Sequence, residues 1–239
     1  MNRESGLYAY YPVPRTTRAA SNRREWPSAW TDAWLALLGS SLRGMTITIV
    51  GYGSIGREIA RLSHAFGMRV VAVKADPTAK ADRGYTPAGL GDPDGTIPER
   101  IVRTSELGEV FADSDFAVLA LPYTPATDRV VDASVIMALP PRAVLINVAR
   151  GRVLDEVALA DALRRGAIRG AALDVATVEP VPADSPLWGV PNLVLTPHVS
   201  AINDPKGWWD LVADLMRENL ARYAGGRELI NVVNGAAGY

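Results

Sequence analysis

The stretch MTITIVGYGSIGREIARLSHAFGMRVVAVK, residues 45–74, decides how the rest of the chain is read. An apolar, β-branched run at 45–50 meets the pattern G-x-G-x-x-G at Gly51, Gly53 and Gly56, with Tyr52, Ser54 and Ile55 between the glycines. Ile55, Ile59, Leu62 and Phe66 then recur at helical spacing, and RVVAVK at 69–74 reads as a second strand. A glycine hexapeptide alone also occurs in ordinary turns. Set between a strand and a helix inside one βαβ unit, it is the pattern that receives a dinucleotide pyrophosphate. The first glycine makes the tight turn, the second lets the backbone approach the phosphates, and the third lets helix and strand pack closely. The helix start adds unpaired N–H groups and a dipole that favours an anion.

Beyond this unit, apolar runs keep alternating with amphipathic stretches, which predicts an α/β fold: a Rossmann-type, doubly wound parallel sheet flanked by helices. Six strands are expected, at 45–50, 69–74, 116–121, 143–148, 170–175 and 192–196. DEVALADALRRG opens on an acidic turn and closes on Arg164, Arg165 and Gly166, as a crossover helix should. Residues 77–98 carry eight glycines and prolines and read as one long loop. The domain reading is an N-terminal segment and linker helix at 1–41, a dinucleotide-binding domain at 42–201, and a C-terminal helix and tail at 202–239. Trp30, Trp34, Leu37 and Leu38 share a helical face before the domain, and Trp208, Leu211, Leu215 and Tyr223 share one after it.

Composition narrows the chemistry. The 239 residues include no Cys and only two His, His64 and His198, which excludes disulfide frameworks, thiol nucleophiles, thiolate metal sites and multi-His metal centres. No metal is expected. A formal charge of −1 gives no general field toward nucleic acid or an anionic membrane, so a small-molecule partner is expected. No window reaches the length of a membrane span and the start lacks an apolar signal core, giving a cytoplasmic expectation. The apolar faces at the two ends favour a homodimer, or a partner that completes the cleft, over a monomer.

In open α/β sheets, ligands sit beyond the carboxyl ends of the strands. The run AVLINV leads to Ala149 and Arg150, GAALDV contains Asp174 and leads to Glu179, and NLVLT leads to His198. Such a trio suits carbonyl reduction. A hydride arriving at carbon pushes charge onto oxygen, where an imidazolium can supply the proton. A carboxylate partner favours the charged ring and orients it, while Arg grips a substrate carboxylate with two prongs. Each residue taken singly has a structural alternative, and His64, within the first crossover helix, is read that way. Lys74 ends the second strand, where a carboxylate would select NAD by binding the ribose hydroxyls. A lysine there welcomes a 2′-phosphate and tilts the expectation toward NADP. The competing reading leaves Lys74 solvated and turns Asp76 back to the ribose.

With these residues assembled, the chain resembles the NAD(P)-binding domain of the D-isomer-specific 2-hydroxyacid dehydrogenases. The resemblance rests on residues 42–73, LALPYTPATDRVV, LINVARGRVLDEVALADAL, AALDVATVEP and NLVLTPHVSA. It implies that His198 is the general acid/base, that Glu179 pairs with it, and that Arg150 binds and polarises a 2-oxo acid. It also implies that Asp174 lies near the nicotinamide amide and that Leu121, Pro122, Val148 and Ala149 line the cofactor. Lys74 stands where NAD-preferring members carry Asp or Glu. Members also carry roughly a hundred residues of substrate-binding lobe before the linker, so that lobe is expected to be largely absent here. Two functions are compatible with this pattern: an NAD(P)-dependent oxidoreductase acting on the CH–OH group of a D-2-hydroxy acid, or a truncated dinucleotide-binding module or scaffold with little turnover.

Overall fold

The structure, a computed structural model, describes residues 41–82, 84–200, 205–233 and 235. The expected linker helix around Trp30 and Trp34 lies outside the described residues, as does nearly all of the 1–41 segment.

Seven parallel strands form the sheet, in the order β3-β2-β1-β4-β5-β6-β7. They are β1 (Thr46–Val50), β2 (Arg69–Lys74), β3 (Arg100–Arg103), β4 (Phe116–Leu119), β5 (Val144–Asn147), β6 (Gly170–Leu173) and β7 (Leu193–Leu195). The helices are α1 (Ser54–Ala65), α2 (Leu107–Ala112), α3 (Ala133–Ala138), α4 (Glu156–Arg164) and α5 (Pro205–Ala224). Strands β1, β4 and β5 are buried along their whole length, which is why they read as continuous apolar runs. Strand order reverses between β1 and β4, and the crevice at such a reversal is where this class of sheet receives ligands.

The sequence predicts six strands and the described residues form seven. Strand β3 escapes because its apolar content is only Ile101 and Val102 between two arginines, at the sheet edge, where solvent accepts charged flanks. Its pairing sets Arg103 opposite Lys74 at the carboxyl ends of β2 and β3.

A second correction concerns α1. Its periodicity points to Ile55, Ile59, Leu62 and Phe66 as the buried face, yet Ile55 is 46% and Phe66 39% exposed. The deeply buried positions are Gly56, Arg57, Glu58, Ala60 and Ser63. The long irregular loop expected at 77–98 explains the exchange. It straps across this side of α1, and its backbone carbonyls need donors once covered. Arg57, 2% exposed, donates to the carbonyls of Asp92 and, at 2.6 Å, Lys80. Its guanidinium lies 4.7 Å from the centre of the Tyr52 ring and 3.5 Å from Asp82 Oδ2. Tyr52 Oη donates to Asp92 Oδ2 at 2.6 Å, and burial together with that bond pushes the phenol far above its ordinary range, so it stays a donor. Glu58 Oε2 accepts the Gly91 N–H at 2.6 Å.

Helix α4 starts as its acidic turn predicts, with Asp155 accepting the Ala158 N–H at 2.9 Å, and the chain turns at Gly166 with φ 65°. Helix α5 spans the predicted C-terminal segment and is followed by Gly225 and Gly226. Leu211 and Leu215 are half-buried on it, but Tyr223 is 78% exposed and does not share their face. The Trp208 side chain lies outside the described residues. Among the described residues no helix is long and apolar enough to cross a membrane.

Candidate active site

The turn between β1 and α1 holds its shape through two contacts that only glycine permits. A Cβ on Gly51, at φ 98°, would lie 2.5 Å from the Ala120 carbonyl oxygen, and one on Gly56 would lie 2.1 Å from the Gly51 oxygen. Gly53 differs. Nothing lies within 4 Å of where its Cβ would be. It caps α1, whose first helical bond runs from Arg57 N–H to the Gly53 carbonyl at 2.9 Å, and no side chain caps the N–H groups of the first turn. Open space beside uncapped N–H groups at a helix start fits a dinucleotide pyrophosphate.

A cleft of about 640 Å³ opens beyond the carboxyl ends of β1, β4 and β5. Ile55, Leu121, Pro122, Val148, Ala149, Arg150, Glu179 and His198 all border it. The exposure of Ile55 reflects this position at the cleft wall.

Each strand exit has a local device that aims its functional side chain. At the end of β5, Asn147 is fully buried. Its Nδ2 donates to the Arg150 carbonyl and its Oδ1 accepts the Ala149 N–H, both at 3.0 Å. This folds the exit back and leaves Arg150 exposed at the cleft, with Nη1 donating to the Ala149 carbonyl at 2.7 Å. A Cβ on Gly151 would lie 2.0 Å from the Ala176 carbonyl carbon, so glycine alone lets the β5 and β6 exits press together. Beyond β6, Glu179 Oε1 accepts the Ala176 N–H at 2.9 Å and Glu156 Oε1 accepts the Thr177 N–H at 2.5 Å. Burial pushes the Glu156 carboxyl above its ordinary value.

These exits bring Glu179 Oε2 to 2.8 Å from His198 Nδ1. A ring nitrogen facing a carboxylate carries a proton, which leaves Nε2 as the atom that can exchange a proton with a ligand. The hydrogen bond from His198, with the Ala176 N–H behind it, holds the Glu179 carboxyl below its ordinary value. The pairing is therefore fully present above the ordinary glutamate pKa of about 4.3 and is lost as pH falls through the depressed folded value. Carbon-13 titration of the Glu179 carboxyl should give a midpoint below that of an exposed glutamate; an ordinary midpoint would mean that the pair does not persist in solution.

His198 has φ 55°, and its N–H donates to the Asp174 carbonyl at 2.8 Å. The Asp174 side chain, in a residue 5% exposed, accepts from Thr196 Oγ1 at 2.5 Å, Val199 N–H at 3.0 Å, Ser200 N–H at 3.0 Å and Ser200 Oγ at 2.6 Å. Burial alone would raise this carboxyl, but the bonds from Ser200, Thr196 and Val199 outweigh it and hold it below its ordinary value.

The structure thus collects Arg150, Glu179 and His198 on the cleft with Ile55, Leu121, Pro122, Val148 and Ala149. Three residues read from the sequence stand elsewhere. Tyr52 turns its ring into the strap and is not part of the cleft lining. Lys74, at the end of β2, donates to the Ala79 carbonyl. Asp174 lies beneath the His198 turn and is not part of the cleft lining. Sequence reasoning missed Asn147, Glu156 and the pair Tyr123 and Arg152, which border the cleft with the guanidinium 5.0 Å from the ring centre while Asp128 holds it at 3.0 Å. The Asn147 role had a signal: a polar residue closing an otherwise apolar buried strand needs a backbone partner. The Tyr123 and Arg152 contact joins residues 29 positions apart and has none.

The sequence matches the family described as D-isomer specific 2-hydroxyacid dehydrogenase, NAD binding domain, over residues 14–200. It is 35% identical over 207 residues to the glyoxylate reductase of Pyrococcus furiosus, covering 86% of this chain and 55% of that protein. A D-isomer specific 2-hydroxyacid dehydrogenase from Xanthobacter autotrophicus Py2, solved with NADPH and MES, superposes with a TM-score of 0.74 at 30% identity, covering 98% of this chain and 85% of that one. The NADPH-dependent glyoxylate/hydroxypyruvate reductase of Sinorhizobium meliloti, solved with NADP and sulfate, also gives 0.74 at 26% identity, covering 98% of this chain and 66% of that one. The chain spans little more than half the length of the Pyrococcus relative.

Proposed function

From its membership of the D-isomer specific 2-hydroxyacid dehydrogenase family, to which this chain belongs through the NAD binding domain, we propose that it is an NAD(P)-dependent reductase of a small 2-oxo acid. The observation that carries the reading is the 2.8 Å pair of His198 and Glu179 on a cleft that Arg150 also borders. A dinucleotide held at the glycine turn would supply the hydride for the carbonyl carbon. His198, protonated at both nitrogens with Glu179 holding Nδ1, gives its Nε2 proton to the carbonyl oxygen, and the product is the 2-hydroxy acid. Arg150 pairs with the substrate carboxylate and draws charge from the carbonyl. Gly51, Gly53 and Gly56 shape the phosphate turn, Ser54 and Ile55 contribute N–H groups of the first helical turn, and Leu121, Pro122, Val148 and Ala149 border the nicotinamide side.

Glyoxylate and hydroxypyruvate, named for the relatives, are the substrates to try first. Loss of nicotinamide absorbance with either acid and the purified chain tests the reading; no oxidation of either cofactor at any substrate concentration rejects it. A dinucleotide-binding module with slow turnover is the second reading. It is favoured by exposure: the His198 side chain is 48% and that of Glu179 38% accessible, and hydride transfer works best with water excluded. Binding of the dinucleotide with little or no turnover would select this module.

NADP is the proposed preference. Lys74 and Arg103 face one another at paired strand ends, two cations where a 2′-phosphate would arrive. Asp76 is turned to its own loop, accepting from Thr78 N–H at 2.9 Å and Thr78 Oγ1 at 2.6 Å. Titration by nicotinamide fluorescence should give tighter NADPH than NADH, and Lys74→Asp should reverse the order by about tenfold, as expected for a charge reversed near a phosphate. Equal affinities in the wild type would mean that Lys74 serves only the Ala79 carbonyl and does not read the cofactor. A second copy of this chain is the proposed partner, through the exposed Trp209, Met216, Leu220 and Tyr223 of α5; a monomer mass in solution would count against it.

A further inference from the structure

We propose that Asp174 is a positioning residue for the proton-transfer pair, fastening the turn that carries His198 to the end of β6. The argument starts from lone pairs. A carboxylate offers about four acceptor sites, and Asp174 has four donors on them: Thr196 Oγ1 and Val199 N–H on Oδ1, and Ser200 N–H and Ser200 Oγ on Oδ2. All four donors lie within two residues of His198, on both sides of it. A fifth bond runs the other way, from the His198 N–H to the Asp174 carbonyl. One residue therefore grips both flanks and the centre of a turn whose middle residue sits at φ 55°, a conformation that a non-glycine residue holds only when its surroundings over-determine it.

The clamp matters because, beyond the bond from the Thr196 N–H to the Leu173 carbonyl, β7 offers little else. That strand is three residues long, at the edge of the sheet and only partly buried, so it cannot by itself fix the turn that carries His198. Glu179 leaves from the same β6 exit as Asp174, five residues later, with its own anchor on Ala176 N–H. Asp174 thus ties His198 and Glu179 to one rigid strand end and sets the 2.8 Å between them. A nicotinamide carboxamide, the contact that the family resemblance assigns to this position, would have to displace one of the four donors. The charged neighbours of Glu179 besides His198 are Arg150 and Glu156, and neither is bonded to Asp174.

This inference rests on the proposed role of His198, but its test does not need turnover. The two histidines of the full chain are resolved by nitrogen-15 NMR, with His64→Gln identifying His198. In Asp174→Asn an amide group faces donors, and in Thr196→Val one donor is gone. In both variants His198 should change from a single Nδ1-protonated form to a mixture of tautomers, and the Glu179 titration should move up toward the ordinary carboxylate value. Thr196→Ser, which keeps the hydroxyl, should restore the wild-type signals. Where 2-oxo acid reduction is measurable, kcat should fall about tenfold to a hundredfold in Asp174→Asn, with dinucleotide Kd changed less than about threefold. If Asp174→Asn does not fold, the Thr196→Val and Thr196→Ser pair decides alone. Wild-type His198 and Glu179 signals in the Thr196→Val and Asp174→Asn variants would overturn the proposal, and a tenfold loss of dinucleotide affinity alongside them would assign Asp174 to the cofactor. Turnover that survives His198→Ala would remove the acid/base reading while leaving these NMR results standing.

Discussion

Replacing His198 by alanine is expected to slow 2-oxo acid reduction at least about a hundredfold, the usual loss when a positioned general acid is removed. Dinucleotide affinity should change little, because the glycine turn that receives the pyrophosphate lies on β1 and α1, elements that make no contact with the His198 ring among the described hydrogen bonds. The loss should fall on the chemical step. A single-turnover experiment with pre-bound NADPH separates it from substrate binding, and a deuterated cofactor shows whether the hydride step limits. Glu179→Gln keeps a hydrogen-bonding partner at Nδ1 without its charge, so it should cost less than the alanine and should shift the pH profile of reduction. Unchanged turnover in His198→Ala would mean that water donates the proton, and the 2.8 Å pair would then be structural.

Arg57→Met should have the largest effect on stability, about 3 kcal/mol, the order found when one member of a buried charged network is removed. Methionine fills the aliphatic path of the arginine but cannot donate. The Lys80 carbonyl loses its donor, the Asp92 carbonyl keeps only the Gly95 N–H, Asp82 is left without the cation 3.5 Å away, and the face of Tyr52 loses its guanidinium. The strap at 77–98 should loosen before the sheet does, because its ties to α1 and to the turn before it run through Arg57, Glu58 and Tyr52. Urea unfolding measures the first effect, and proteolysis rates within the strap measure the second. A variant as stable as the wild type, with a strap equally resistant to protease, would show that Arg57 is held by the fold and does not hold it. Dinucleotide affinity should also fall, since Tyr52 belongs to the glycine turn and shares Asp92 with the strap.

The central sheet is legible because β1, β4 and β5 are covered on both faces, so burial demands apolar residues without interruption and the runs can be read directly. The glycines at 51 and 56 are legible for a related reason: close backbone approach forbids every other side chain, and the requirement is written into residue type. The strand exits are legible too, since parallel topology puts all carboxyl ends on one side and chain order alone predicts that Arg150, Glu179 and His198 face a common cleft. Less can be read where burial and polarity part company. The apolar spacing of α1 holds at Ile59, which packs on the core, and misleads at Phe66 and at Ile55, which borders the cleft, while the buried side also carries Arg57 and Glu58 for the strap's backbone groups. Strand β3 is hidden by its two flanking arginines.

Residue order alone dictates the succession of elements apart from β3, the parallel sheet, the glycine turn and the side of the sheet on which the polar trio stands. All four come from local rules: periodicity, residue type and the single direction of the strands. Which atoms meet is settled only by packing in three dimensions. That Asp174 spends all its lone pairs on the His198 turn, that Asn147 folds the chain to present Arg150, and that Arg57 is a buried tie between helix and strap depend on residues between 2 and 35 positions apart. Hydrogen bonds are short-ranged and directional, so their partners are fixed at the scale of an ångström, which no pattern of residue types along the chain encodes.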